Sequence, residues 1–433
     1  MSADPVRVLV IGDGVAGTAA AWRAARSGAH VTLVSAGAGA SALSGGAVDD
    51  LPWEDVLRAA RALGTEPRAR PIDPELAAFA GALDLWSLPA EGGPLALLAT
   101  LAGRTRLARG HDRALLDLAS VGAGAVAVPR VDRAGWDADS LAACWSTDPS
   151  ARDRSLSFVP IDAALLRFGG EDRLSDLDLA SRHDDPARLA WLADRLREAV
   201  ARTALHPVAV LLGPWLGFES PRAAALGSAL GIRTGEALTG VGGPAGMRLV
   251  HARDRLLARA GVRTIAARVT DVRLDDDDEG RPSVAIEGEE GRRAVDRVVL
   301  ACGGLTGGGI LYDPLDRHAG SDMPEEYGPP FRLSFTVSAA DEDELPYFAA
   351  GGARLGVTGS MFGPALDQSA WPSPGRPGLL ESIGVACDAQ GLCGPRLAAA
   401  GDVVADRPRT VLAAVQSGLR AGAWAARVEP EPV

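Results

Sequence analysis

Cysteine is scarce in this chain of 433 residues, and its spacing rules out several chemistries. The four cysteines are Cys144, Cys302, Cys387 and Cys393. None forms a Cys-x-x-Cys pair, so neither a redox dithiol motif nor an iron–sulfur cluster is indicated. Cys302 is expected to pack as a small apolar residue. Cys387 and Cys393 flank the turn Asp388-Ala389-Gln390-Gly391, which reads as a plain hairpin in preference to a metal pair. The acidic run Asp275 to Glu279 has the wrong ligand spacing for calcium and reads as a solvated hairpin tip, so no metal site is expected. Basic charge is also short, at 44 Lys and Arg against 56 Asp and Glu, a formal net charge of −12. That balance excludes nucleic acid or an anionic membrane surface as a direct electrostatic partner, while leaving room for a basic pocket for a small anion. No apolar run approaches the ~18 residues of a spanning helix. The opening Met1-Ser2-Ala3-Asp4-Pro5 carries no cationic leader. A cytoplasmic protein is therefore expected, without direct membrane insertion.

What the chain does have is glycine in well-placed turns. Val8-Leu9-Val10-Ile11 is a continuous apolar run of the kind that forms a buried parallel strand. It leads into Gly12-Asp13-Gly14-Val15-Ala16-Gly17 and an Ala-rich helical segment ending near Gly28. Gly12 allows the tight turn, Gly14 lets a phosphate approach the backbone, and Gly17 lets helix and strand pack closely. The helix-start amides then face an anion, aided by the helix dipole. A second block is Val298-Val299-Leu300-Ala301-Cys302-Gly303-Gly304, preceded by a meander: strand from Val262 to Leu274, acidic turn, and return strand Ser283 to Glu287. A third is Leu397-Ala398-Ala399-Ala400-Gly401-Asp402, followed by a helix from about Thr410 to Ala426.

These three blocks, in this order, resemble flavoproteins of the two-dinucleotide-binding class. The resemblance implies that Ala301 and Gly303 border the cofactor, that Gly401 and Asp402 meet it, and that the Asp402 carboxylate holds the ribityl chain. FAD is the expected cofactor, with FMN as the alternative, because the second strand His30-Val31-Thr32-Leu33-Val34 ends in Ser35 and not in the customary acid. Ser35 could hold the adenosine ribose more weakly. The loop Ser41 to Asp49, with Ser44, Gly45 and Gly46, looks like the loop that crosses the flavin in fumarate reductase-like proteins.

At this length two domains are expected. The fold class is α/β: a Rossmann-like FAD-binding domain with a β-meander and an inserted α+β cap or substrate domain. Its segments are read as residues 1–50, 241–310 and 378–433 for the flavin domain, and 51–240 and 311–377 for the cap. Within 51–240 the sequence offers short helices, including Asp185-Pro186 to Thr203 with Leu189, Leu192, Leu196 and Val200 as its buried stripe, and one convincing strand, Pro207 to Leu212.

The helix opening at Gly246 places Arg248, His251 and Arg255 on one face. Two arginines on a phosphate beside an imidazole base would suit oxidation of a phosphorylated alcohol. The glycine turn at Gly12, Ser44 to Asp49, Leu211 to Phe218, Pro244 to Leu249, Ala301 to Gly304 and the tail from Gly384 together resemble the B-type subunit family of the anaerobic glycerol-3-phosphate dehydrogenase complex. That resemblance implies a second flavoprotein subunit and an iron–sulfur subunit as partners, a small anionic substrate, electron delivery to quinone, and a place peripheral to the inner membrane through those partners. Arg248 matches an arginine of the family; Asp402 stands where the family can carry a non-acidic residue. Two functions remain open: a catalytic flavin-bearing subunit, or a non-catalytic subunit kept for assembly or electron relay.

Overall fold

The computed structural model describes residues 4–51, 67–275, 277, 280–312, 331–339, 348–350, 353–354 and 383–427. Most of the cap segment expected at 311–377 therefore lies outside the described residues. The chain divides into two units, one formed by Met1–Ser41 and Arg253–Val433, the other by Ala42–Ala252.

In the first unit, strand Arg7–Ile11 lies at the middle of a six-stranded sheet, flanked by His30–Ser35 and Arg297–Leu300. The order is Arg263–Ala266, His30–Ser35, Arg7–Ile11, Arg297–Leu300, Leu397–Ala399, Leu392–Gly394. The first five run parallel, and Leu392–Gly394 closes the edge antiparallel. Val8, Leu9 and Val10 are at most 1% exposed, which is why this strand is apolar without alternation. Helix Val15–Arg26 follows the glycine turn and packs against the C-terminal helix Val411–Ala425. The two backbones touch: a Cβ on Gly418 would stand 2.1 Å from the Ala16 carbonyl oxygen, and one on Gly422 2.3 Å from that of Ala20.

The meander is present, with Val269–Arg273 antiparallel to Ser283–Ile286 and then Arg293–Ala294. The single strand expected over Val262 to Leu274 is two. Arg263–Ala266 extends the main sheet beside His30–Ser35, and the chain then breaks at Ala267-Arg268 to enter the meander sheet. The apolar alternation continues across the break, so periodicity alone does not reveal it.

The second unit is where the sequence reading falls short. Ala209–Leu212 is the strand expected there, but it belongs to a four-stranded, fully parallel sheet in the order Arg233–Glu236, Ala209–Leu212, Gly124–Arg130, Leu156–Asp162. Gly124–Arg130 and Leu156–Asp162 each contain a proline, Pro129 and Pro160, which argues against an interior strand. Here Pro160 lies on the sheet's edge strand, and Pro129 is the next-to-last residue of its own. Helix Pro186–Ala201 begins on Asp185, whose carboxylate accepts the Ala187 amide, and buries Leu192 and Leu196 as expected, with Leu189 and Val200 partly covered. The largely aliphatic core beneath holds an aromatic cluster, in which Trp136 meets Trp145 at 6.2 Å and Trp215 at 5.5 Å between ring centroids.

The division between units falls after Ser41 and after Ala252, not at 50 and 240. Ala47–Val48 is a strand of the second unit, paired with Gly110–Asp112, and Gly246 packs with a would-be Cβ 1.9 Å from the Ala42 carbonyl oxygen. The second boundary lies inside helix Pro244–Arg259.

Candidate functional site

At the carboxyl ends of the parallel strands of the first unit lies a cavity of about 380 Å³, lined by all three glycine-containing blocks. Ligands of open parallel sheets bind at such a place. Gly12 and Gly14 line it, whereas Gly17 lies beneath, where a Cβ would stand 1.9 Å from the Gly12 carbonyl oxygen. Gly12 has φ +104° and its Cβ position is 2.2 Å from the carbonyl oxygen of Ala301, so the first and second blocks meet backbone to backbone. Gly401 has φ +76° and abuts Ala16 of the first helix; its amide donates to Ser417 Oγ at 2.8 Å. Ala301, Gly303 and Asp402 complete the wall.

The helix that opens at this wall has glycine as its N-cap, no side-chain cap on that residue and no acidic residue in its first turn. Its positive end is therefore not neutralised from within the helix, which suits a pyrophosphate. Ser41 Oγ, also lining the cavity, accepts the Val15 amide at 3.0 Å. Ser35 lines the cavity too, but its hydroxyl donates to the Gly37 carbonyl at 3.0 Å, leaving only its lone pairs for a ribose. Asp402 is pushed above the usual carboxylate range by burial, with the Arg409 guanidinium pulling the other way. Burial also pushes the Cys302 thiol up to about 12, so it borders the cavity as an unreactive side chain.

Two features of this wall were not anticipated from sequence. Asp13, between Gly12 and Gly14 in the glycine turn, pairs through Oδ2 with Arg253 Nη1 at 2.5 Å, while its Oδ1 is buried without a hydrogen-bond partner. That oxygen is an acceptor with spare capacity beside the phosphate-type turn. Arg268, at the break between the two strands, also lines the cavity. The acidic residue in the turn was a signal for the first; nothing marked the second. The glycine cradle, the helix start with no acidic residue in its first turn and the half-buried carboxylate of Asp402 fit FAD. The turn would hold the pyrophosphate, Ser35 the ribose and Asp402 the ribityl hydroxyls.

Other assignments change. Ser44, Gly45 and Gly46 belong to the second unit and do not line this cavity. Their conformation has a local cause. Ser44 Oγ accepts the Gly46 amide, a Gly45 Cβ would meet the Thr239 carbonyl oxygen at 2.3 Å, and Gly46 sits at φ +104° against Leu115, Ala245 and Asp112.

Arg248 does not present its guanidinium to a ligand. It is 0% exposed, with Nε on Asp112 Oδ2 at 2.7 Å, Nη2 on Glu236 Oε2 at 2.7 Å and Nη1 on the Gly217 carbonyl at 2.6 Å. Because a helix turns by roughly 100° per residue, Arg248, His251 and Arg255 do lie on adjacent rows, but only the last is exposed. His251 is half-buried, its ring edge-on to Phe218 at 5.2 Å, and its Nε2 is buried with no hydrogen-bond partner.

Comparison with known proteins bears on the first block. The FAD binding domain family matches residues 7–52. No curated protein matches the chain. Among solved structures, the chain is similar to glycine oxidase from Geobacillus kaustophilus, at 14% identity over 98% of this chain and 96% of that one, with a TM-score of 0.31. It is similar to iminodiacetate oxidase from Chelativorans sp. BNC1 at 17% identity, over 71% and 59% of the two chains, TM-score 0.24. It is similar to FqzB at 12% identity, over 70% of this chain but only 36% of that one, TM-score 0.23. Likenesses of this size carry no argument about substrate. The cofactor rests on the matched domain and the cavity that its strand, turn and helix help to build.

Proposed function

We propose that this chain, whose first unit is an FAD-binding domain, is a flavoprotein oxidoreductase subunit like the B-type subunits of glycerol-3-phosphate dehydrogenase, taking electrons from a small hydroxy-anion. The observation that carries the flavin part of this reading is the single cavity wall made by Gly12-Asp13-Gly14, Ala301-Cys302-Gly303 and Gly401-Asp402. A bound flavin supplies acceptance of two electrons and their release one or two at a time. The chain's own groups bind and orient it: backbone amides at the helix start for the pyrophosphate, Asp402 for the ribityl chain. Charge-assisted bonds to such a carboxylate are worth about 1.5–3 kcal/mol each.

The substrate half rests on the sequence resemblance. His251 is the proposed base, with its buried and unpartnered Nε2 as the supporting observation. Arg248 is reassigned to holding Asp112 and Glu236 in place. The proposed partners are a second flavoprotein subunit and an iron–sulfur subunit, through which electrons would reach quinone and the chain would sit at the inner membrane. No helix among the described residues is long and apolar enough to cross a membrane.

The locking away of Arg248 favours a second reading, in which the subunit relays electrons or supports assembly and oxidises nothing itself. Reduction of an artificial acceptor by glycerol 3-phosphate, assayed with the chain alone and with its partner subunits, separates the two. Turnover that requires this chain and falls in His251→Gln supports the catalytic reading; partner turnover unchanged by adding it supports the second.

A further inference from the structure

The turn that leads into Leu392–Gly394, the edge strand of the main sheet, holds two thiols in contact. Cys387 and Cys393 are both unbridged and half-buried, and their Sγ atoms lie 3.0 Å apart, on either side of the exposed turn Asp388-Ala389-Gln390. The pairing explains the approach. The Asp388 amide donates to the Leu392 carbonyl at 3.0 Å and the Leu392 amide to Asp388 Oδ1 at 2.9 Å, which closes the turn and brings residues 387 and 393 together. Cys393 is also the extra residue of an irregularity in the ladder, between Leu392 opposite Ala398 and Gly394 opposite Leu397. A bulge of this kind re-aims a side chain.

The two arms of the turn flank the Gly401-Asp402 block. The Val385 carbonyl accepts the Ala405 amide at 3.0 Å, and the Gly391 carbonyl accepts the Ala399 amide at 2.8 Å. Each thiol lies near the carbonyl two residues before it, Cys387 Sγ 3.6 Å from Val385 O and Cys393 Sγ 3.9 Å from Gly391 O. The thiol pair therefore spans the two contacts that hold the chain just before and just after Asp402.

We propose that Cys387 and Cys393 are a redox modification site, closing to a disulfide when a hydroperoxide oxidises them and reopening with a thiol reductant. Cys393 is held protonated mainly by the hydrogen bond to Cys387, with burial acting in the same direction, which leaves Cys387 as the attacking sulfur. As thiolate it attacks the outer oxygen of the peroxide. The O–O bond breaks, the leaving alkoxide or hydroxide takes up the proton that the Cys387 thiol released and departs as alcohol or water, and Cys387 becomes the sulfenic acid. Cys393 then attacks that sulfur, the S–O bond breaks, and water leaves with the thiol proton. In sum, two thiols and one hydroperoxide give one disulfide, one alcohol (water, from hydrogen peroxide) and one water. The closed bridge ties together the arms that bracket Asp402. The chemistry does not depend on the flavin reading.

The test uses the full chain treated with one equivalent of hydrogen peroxide, alkylated, and cleaved at Asp388, between the two cysteines. The expected result is that the fragments carrying Cys387 and Cys393 stay joined until dithiothreitol is added, while Cys302, alkylated once the chain is unfolded, is recovered outside the bridge. Cys393→Ser should stop at a sulfenic acid on Cys387, captured by a cyclic diketone probe, and Cys387→Ser should give separate fragments. Oxidation should raise the melting temperature of the wild type reversibly and leave Cys387→Ser unmoved. Fragments that separate in the oxidised wild type, or a bridge that forms instead through the exposed Cys144, would overturn the proposal.

Discussion

The Arg248 guanidinium and the Glu236 carboxylate face each other at 2.7 Å with both side chains at most 1% exposed. Asp112 closes the group from the other side at 2.7 Å. Burial pushes Glu236 up to about 7 even though Arg248 pulls it down, and the same two carboxylates raise Arg248 against the effect of its own burial. Removing the cation leaves two buried acids without their partner. Arg248→Ala should therefore cost roughly 3–5 kcal/mol of stability, read by urea unfolding, with Arg248→Lys recovering part of it. An arginine that met substrate at the surface would instead change KM and leave stability untouched.

His183 gives a pH dependence of defined sign. It is 2% exposed, Nδ1 donates to the Trp215 carbonyl at 2.7 Å, and burial lowers its pKa from 6.5 to about 4. Between those values the unfolded chain binds a proton that the native chain does not, so this residue's contribution to stability falls on acidification from pH 6.5 to 4. The full loss is of order 3 kcal/mol. The stability difference between wild type and His183→Gln should shrink over that window and stay flat above pH 7.5.

The flavin half of the fold was legible because it is written in local signals. An apolar strand, a glycine turn and an alanine-rich helix lie within residues 7–28; Gly12 and Gly17 are fixed by backbone approaches that exclude a Cβ, and Gly401 by its φ of +76° against the Ala16 side chain. The sheet of the second unit was hidden because Pro129 and Pro160 occupy two of its strands, positions that only tertiary pairing makes acceptable. Arg248 was misread for a related reason. Helical spacing fixes its row on Pro244–Arg259 but says nothing of Asp112, 136 residues earlier in the chain. Ser44, Gly45 and Gly46 show the limit of reading a small-residue loop, since close packing and ligand contact ask for the same residues.

Gly12→Ala tests the contact between the first two blocks. The left-handed backbone alone costs about 1–2 kcal/mol for an alanine, and the Cβ would overlap the Ala301 carbonyl. Lower stability in urea together with loss of flavin retention is the expected result.

Asp402→Ala should weaken flavin binding about ten- to a hundredfold, the equivalent of one lost charge-assisted contact. Cys302→Ser, at the same cavity, should retain flavin more nearly as the wild type does. Titration of apoprotein by quenching of flavin fluorescence reads both.

FAD held by the first unit in the cavity between Gly12, Ala301 and Asp402 is read most directly from the cofactor itself. Purified chain should be yellow, and acid should release a flavin without proteolysis, since the loop 41–49 offers no His, Cys or Tyr for a covalent bond. Mass spectrometry of the released cofactor is the direct measurement. FAD at about one per chain is the result this account predicts. A colourless chain that takes up no flavin on reconstitution with FAD would contradict it.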